Sequence, residues 1–470
     1  MHFIDFIVFI IYILIVLGVG FYFHRKNKNS NDYYTGGNDM GSGHIGLSVV
    51  ATDVGGGFSI GLGGLGFAMG LSGSWMLFTG LIGAWLSAVL LIPKVIGKAH
   101  KMKLLTFPQL LLDAYDKRVA LLAGIISFIG YLGFTSSQLL AGAKLAVGTF
   151  PGLSITEALI IMGVVAVAYT VFGGIKAVIY TDTFQWLLLM GGLIFIGIPY
   201  AYYTLGGYEE IVLHLPTEFL RLDNVSAIQL ANWFITIVPI WFVGMTLYQR
   251  IYACRDEKTA KRAWYIAGLF EYPVMAFMGV LLGMFARVAA EQGMFQQAGF
   301  VAASEMDSEL GLPLLLSHIL PIGLMGLMLS AYFSAIMSTA DSCLLAASGN
   351  LVTDILKVPT EHPKGVKFSQ IVTLLVGAVS LILATWMTSV LDLMLMSYAF
   401  MVSGLLIPVL AMLYLKRLHP TAAFWSMILG GSSTIFLTVT DANIPFGFDP
   451  ILIGVLLSAF VFIIISSLKK

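Results

Sequence analysis

Alcohol and carboxylate side chains crowd the stretch Ala331–Leu345, AYFSAIMSTADSCLL, at the end of a long apolar segment that begins near Gly311. At about 100° per residue, Ala335, Ser338, Thr339 and Ser342 share one face of a helix, and Asp341 lies at its edge. Polar groups inside a membrane are costly and face a cavity, a partner or an ion. Oxygen donors without sulfur or imidazole beside them suit a hard cation. A single Ser or Thr could instead bond the carbonyl one turn back and help helices pack. Ser338, Thr339, Asp341 and Ser342 fall within one short run, and that density favours an ion site.

Two further clusters could complete such a site. In Ala51–Ser59, ATDVGGGFS, three consecutive glycines weaken the helix. Unwinding there frees carbonyls that need a new partner, and a cation is one. A glycine face for tight packing is the plainer alternative. Asp53 shifts the balance, because a carboxylate at mid-membrane costs about 2.5–3.5 kcal/mol on insertion scales and needs a counter-charge, water or a proton. In Gly173–Gln185, GGIKAVIYTDTFQ, Thr181 or Asp182 reads equally as the cap of the following helix or as part of an ion relay.

The elements that must position these residues follow from composition. The chain has 470 residues, of which 58% are hydrophobic and 11% charged, with mean hydropathy +0.91. Soluble proteins carry about 25% charged residues, so this is an all-α, polytopic membrane protein in a lipid bilayer. Lys plus Arg and Asp plus Glu both total 25; there is no basic stripe for nucleic acid. Cys254 and Cys343 form no disulfide framework or metal motif. The histidines are scattered without metal-ligand spacing, which argues against a metalloenzyme and, with no nucleophile–base constellation, against an enzyme of any kind. No cofactor is expected. A ringed channel filter and a large fused signalling domain are likewise not visible.

Hydropathy places spans at about 3–23, 44–70, 73–97, 118–149, 153–172, 182–204, 228–249, 264–286, 312–345, 369–388, 391–414, 421–439 and 450–467, which makes about thirteen. The positive cluster His24–Lys28 follows the first apolar run, as expected for a retained helix and not for a cleaved signal peptide. With the N-terminus outside, all Lys and Arg except Arg221, Arg287 and Lys144 fall in inner loops or at their edges. The expected orientation is therefore N-terminus outside and C-terminus cytoplasmic, in the plasma membrane. Two long segments, 118–149 and 312–345, lie five spans apart. So do two with helix breakers: 44–70 with Gly55-Gly56-Gly57, and 228–249 with Pro239 and Gly244. That pattern points to inverted repeats with a site at mid-membrane.

Three motifs together carry a family resemblance: GG-x3-V-x2-TD-x2-Q at residues 173–185, the glycine break beside Asp53, and A-x-MST-x-DS at residues 335–342. With Asp32-Tyr33-Tyr34-Thr35-Gly36-Gly37 ahead of them, their order and spacing resemble the sodium:solute symporter family, over the chain to about residue 415. The resemblance implies a leucine-transporter-type 5+5 inverted-repeat core. Residues 1–30 would add one helix before it, 44–205 and 228–415 would form the two repeats, and 420–470 would add two helices after it. It implies Na⁺ as coupling ion, held by backbone oxygens of Ala51, Val54 and Ala335 and hydroxyls of Ser338 and Thr339. A second cation set would comprise Asp182, Ser338, Asp341 and Ser342, with a carboxylate at 341 where relatives use a hydroxyl. The functional unit implied is a monomer.

The expected activity is sodium-coupled uptake of a small organic solute by alternating access. Proton coupling on the same fold is the alternative, because of Asp53, Asp182 and Asp341. The solute is expected beside the glycine break, with Phe134, Gln138, Trp241 and Met245 as lining candidates and Asp53 as counter-charge to an amine or zwitterion. The resemblance extends to the choline branch, but a quaternary ammonium wants an aromatic cage. Asp53, Thr135 and Gly244 stand where that cage would be.

Overall fold

The computed structural model describes residues 2–24, 40–150, 152–358 and 363–468. The motif Asp32–Gly37 and the basic residues Arg25–Lys28 lie outside them. The helices that carry the argument are α1 (Phe3–His24), α2 (Ser42–Val54), α3 (Gly56–Met69), α4 (Trp75–Leu90), α5 (Lys117–Thr149), α6 (Ile155–Gly192), α7 (Ala227–Val243), α8 (Met245–Ala253), α9 (Glu257–Leu269), α10 (Ala276–Glu291), α11 (Ser308–Ile319), α12 (Leu324–Gly349), α13 (Pro363–Ala384), α14 (Val390–Tyr414), α15 (Pro420–Val439) and α16 (Pro450–Leu468).

Among the described residues, nine helices are long and apolar enough to cross a membrane, or ten if the bent pair α7–α8 counts as one span. Phe3–Val19 and Ile155–Val171 are shorter apolar helices. Length and composition thus return fewer spans than the thirteen expected. One reason is that α3 and α4, parted by Gly70 at φ 71° and joined by the short turn Gly70–Ser74, lie too close in sequence to count apart.

Local chemistry starts and stops these helices. Asp116 caps α5 by accepting from the backbone N–H groups of Arg118 and Val119, both at 2.9 Å. Ser154 and Glu157 form a capping box at the start of α6. α6 is not one rod: the Tyr169 and Thr181 hydroxyls bond at 2.6 Å, whereas twelve residues of straight helix would span about 18 Å. The run folds back between them, where a loop was expected. The expected long segment 312–345 also divides. α11 ends at Ile319, and α12 starts after Gly323, whose φ of 88° suits glycine.

α12 is the axis of the bundle. Its apolar window is 94% buried, against 22% for α16. It packs on α5, α6, α1, α13, α2 and α3. α1 is pinned to its start, because Asp5 Oδ1 accepts from the N–H groups of Gly323 and Gly326, at 2.6 and 3.0 Å. Those amides are orphan donors at a helix N-terminus, which explains an acid at the head of an apolar helix.

Three helices break within the bundle. α2 and α3 part at Gly55. α7 and α8 bend by 42° at Gly244, while α7 passes through Pro239 unbroken. α9 and α10 part at the wide turn Phe270–Met275, where Tyr272 is extended (φ −136°, ψ 126°).

Lys144, the basic residue that fell inside a span, is paired. Its Nζ bonds Asp307 and Glu309, each at 2.6 Å. Glu309 in turn accepts from the N–H groups of Val390 and Leu391 at the start of α14, both at 3.0 Å. One buried cluster thus ties α5, α11 and α14. Removing one member of such a pair leaves an uncompensated charge. Lys144→Met is expected to lower unfolding stability by about 3–5 kcal/mol, measured by thermal unfolding of the purified protein.

Candidate functional site

The glycine break meets the alcohol stripe directly. Thr339 Oγ1 lies 3.0 Å from the carbonyl oxygen of Ala51 and 3.3 Å from that of Ala335. It therefore bridges the last turn of α2 to α12. A Cβ placed on Gly55 would overlap this hydroxyl, so glycine is required by close approach. Ala51, Gly55, Ser59, Gln185, Trp186, Leu189, Met275, Ala335 and Ser338 line a small cavity of ≈ 10 Å³. That is room for one water-sized occupant. Of the five expected sodium ligands, Ala51, Ala335 and Ser338 line the cavity, Thr339 bonds Ala51, and Val54 is the last residue of α2. Gln185, at the rim, donates to Tyr12 Oη on α1 at 3.0 Å, and Ser334 of α12 bonds the same hydroxyl at 2.6 Å.

Beside the cavity, Asp182 is fully buried. Its Oδ1 accepts from Ser338 Oγ at 2.5 Å, and its Oδ2 accepts from Ser48 Oγ. These partners lie on α12 and α2, so Asp182 acts across helices and the capping alternative for it falls away. Arg250, in the last turn of α8, is fully buried as well. Its Nη2 lies 3.4 Å from Asp182 Oδ2, 2.7 Å from Ser342 Oγ, and donates to Thr52 Oγ1. Its Nε donates to Ser48 at 3.1 Å. Ser342 also bonds Thr52 at 3.1 Å and the Ser338 carbonyl at 2.9 Å.

Of the second expected cation set, Asp182, Ser338 and Ser342 therefore meet in one network. Asp341 does not join it: its Oδ1 accepts from Thr170 Oγ1, and its Oδ2 has no donor among the described residues. Arg250 was missed because hydropathy closed its span at residue 249, whereas α8 runs on to Ala253 and carries it inside. The extra turn was the available signal.

Around the other side of the break, Gln138 Oε1 accepts from the Gly57 N–H at 2.9 Å. Phe134 packs edge-on against Tyr398 (centroids 5.0 Å apart), and Tyr398 Oη lies 3.4 Å from Asp53 Oδ1. Asp53, Phe134 and Gln138 thus gather at one place. Trp241 packs against Gly83 of α4 and Trp264 of α9. Met245 Sδ takes the N–H of Phe107 at 3.3 Å instead of facing Asp53. Glu271, at the second broken helix, was also missed; it is buried against Asp53. A lone carboxylate two residues before Pro273 in an apolar run was its signal in the sequence.

A bundle with broken helices facing a buried alcohol stripe defines a membrane carrier. The architecture matches a solved Na⁺-coupled sialic acid symporter in its substrate-bound, outward-open state with TM-score 0.79, at 22% identity over 99% of this chain and 98% of that one. This likeness shows the fold, the leucine-transporter-type inverted-repeat core. The family model of the sodium:solute symporter family matches residues 33–430, and the chain belongs to that family. It is 28% identical to the high-affinity proline transporter of Bacillus subtilis (strain 168), over 89% of each chain. It is 26% identical to the sodium/pantothenate symporter of Escherichia coli (strain K12), over 96% of this chain and 94% of the relative. The protein is thus a multi-pass membrane transporter, not an enzyme, and Na⁺ is its coupling ion.

The buried pair makes a quantitative prediction. In sodium-free buffer, Asp182→Asn and Arg250→Met are each expected to cost about 3–5 kcal/mol, because each strands one charge. The double variant is expected to cost clearly less than their sum, by at least about 1 kcal/mol, in a thermal-unfolding double-mutant cycle.

Proposed function

We propose that the sodium ion binds where the last turn of α2 meets α12, held by backbone oxygens of Ala51, Val54 and Ala335 and by the hydroxyls of Ser338 and Thr339. The observation that carries this reading is the ≈ 10 Å³ cavity lined by Ala51, Ala335 and Ser338, with Thr339 bonded to the Ala51 carbonyl at its edge. The carbonyl and alcohol oxygens beside it are the type a hard monovalent cation takes; the cavity wall itself is apolar, so they turn inward to hold the ion. Of the second cation set, Asp182, Ser338 and Ser342 meet beside it and Asp341 lies on the far flank; the Arg250 guanidinium holds the place of that cation.

In this reading residues 44–205 and 228–415 are the two inverted repeats. Residues 1–30 are a preceding helix and 420–470 two following ones. The N-terminus is outside and the C-terminus is cytoplasmic in the plasma membrane, and the functional unit is a monomer. The solute is a small amino acid, amine or similar molecule bound beside the glycine break. Asp53 faces its positive group, and Phe134, Gln138 and Trp241 belong to its surroundings; Met245, turned to Phe107, does not.

The energetics suffice for uptake. A potential of 100 mV supplies about 2.3 kcal/mol per charge, and a tenfold sodium gradient about 1.4 kcal/mol. One sodium therefore supports accumulation of a neutral solute by roughly 500-fold. Coupling requires that ion and solute favour the same access state, since a ligand shifts an equilibrium only by differential affinity. Both sites here adjoin the same break in α2–α3.

The test is Ser338→Ala combined with Thr339→Ala. The sodium concentration that half-stabilises the purified protein against heat, with potassium as the counter-salt, is expected to rise at least tenfold, and sodium-driven uptake to be lost. An unchanged sodium midpoint would place the ion elsewhere.

A further inference from the structure

Asp53 and Glu271 stand at two different helix breaks and meet in the protein interior. Asp53 precedes Gly55 in α2, and Glu271 precedes the extended Tyr272 between α9 and α10. Both are buried, and their carboxyl groups are neighbours. Tyr398 Oη approaches Asp53 Oδ1 at 3.4 Å. The two carboxyl groups lie within hydrogen-bonding reach of each other; beyond that, neither Asp53 Oδ2 nor either oxygen of Glu271 receives a hydrogen bond from an N–H or alcohol donor among the described residues. This is unusual, since buried carboxylates are ordinarily paired with a cation or satisfied by N–H and O–H groups. The contrast with Asp182 is direct. That carboxylate has Arg250, Ser48 and Ser338, and this pair has no built-in cation.

The recess is prepared for the pair. A Cβ on Gly80 of α4 would fall on Glu271 Oε2, so this glycine leaves room for the carboxylate. One turn along the same face, Gly83 accommodates the Trp241 ring, whose Nε1 also has no acceptor. Phe134 and Tyr398 close the Asp53 side. Two carboxylates among aromatic faces suit a charged N–H group of an organic molecule. Its hydrogens satisfy the carboxylate oxygens, and its charge and carbon stem suit the rings. A divalent metal fits less well: no group of three or more His, Cys, Asp or Glu converges among the described residues.

We infer that Asp53 and Glu271 together form the subsite for the cationic end of the transported solute, a primary or secondary ammonium or a guanidinium. This rests on the reading that the solute lies beside the glycine break, and it adds a second carboxylate from the other repeat. Once a charged N–H group stands between them in place of their shared proton, both carboxyls ionise, and two negative charges on one group select solutes of net positive charge, such as diamines, agmatine or lysine, over proline-like zwitterions, neutral sugars and carboxylates.

The test is thermal stabilisation of the purified full chain at saturating sodium, titrated separately with putrescine, agmatine, lysine, proline, glucose and pantothenate. At least one of the three cationic probes is expected to stabilise the protein at lower concentration than any of the other three. Glu271→Gln is expected to weaken that midpoint at least tenfold. Gly80→Ala is expected to weaken it similarly; it keeps both carboxylates, moves one, and favours the helix. In both variants the sodium midpoint without solute is expected to stay within twofold of the parent protein. No stabilisation by any cationic probe overturns the inference, as does a cation midpoint unaffected by both variants. The sodium reading is tested by Ser338 and Thr339, so its failure appears in the sodium midpoint and not in the choice of solute.

Discussion

The alcohol of Thr339 reaches across from α12 to the carbonyl of Ala51, and the bundle is organised around that contact. α12 is nearly wholly buried, so each hydroxyl on it needs a partner inside the protein. α2 stops at Gly55, whose N–H still bonds the Ala51 carbonyl at 3.2 Å, and the second lone pair of that carbonyl takes the Thr339 hydroxyl. The missing Cβ of Gly55 makes the approach possible. A hard cation placed there is served by both helices at once and draws them together.

The two sides of the break differ in charge balance. On one side Asp182 is neutralised by Arg250 and satisfied by Ser48 and Ser338, which ties α2, α6, α8 and α12 into one network. On the other, Asp53 and Glu271 join α2 to the turn between α9 and α10 without any such cation. A network with its own cation gives a stable frame, whereas a carboxyl pair without one takes up a proton or a cation from outside. In the proposed reading, an ion on the first side and a solute on the second both act on α2–α3. That shared helix is a physical route by which occupancy of one site changes the other.

Much of this was legible in the sequence because it is periodic or local. The stripe Ser338, Thr339, Ser342 follows from helical spacing, the break from Gly55-Gly56-Gly57, and the bend from Gly244. Other features depend on contacts between distant parts of the chain. Asp182 read equally as a cap until Ser48 and Ser338 were seen at its oxygens. Arg250 was hidden by a hydropathy edge one turn too early, and Glu271 by the aromatic residues around it. Asp341 shares the stripe in sequence yet turns to Thr170, because a residue at the edge of a helical face can serve either neighbour. Met245 lies on the expected helix but points to Phe107, since the bend at Gly244 rotates everything beyond it.

The most direct measurement is the sodium dependence of thermal stability for Gly55→Ala, without solute. A methyl group there meets Thr339 Oγ1 and forces α2 and α12 apart while leaving every proposed ligand in the chain. The account predicts a folded protein whose sodium midpoint rises at least tenfold. A folded variant with the parent's sodium midpoint would contradict it.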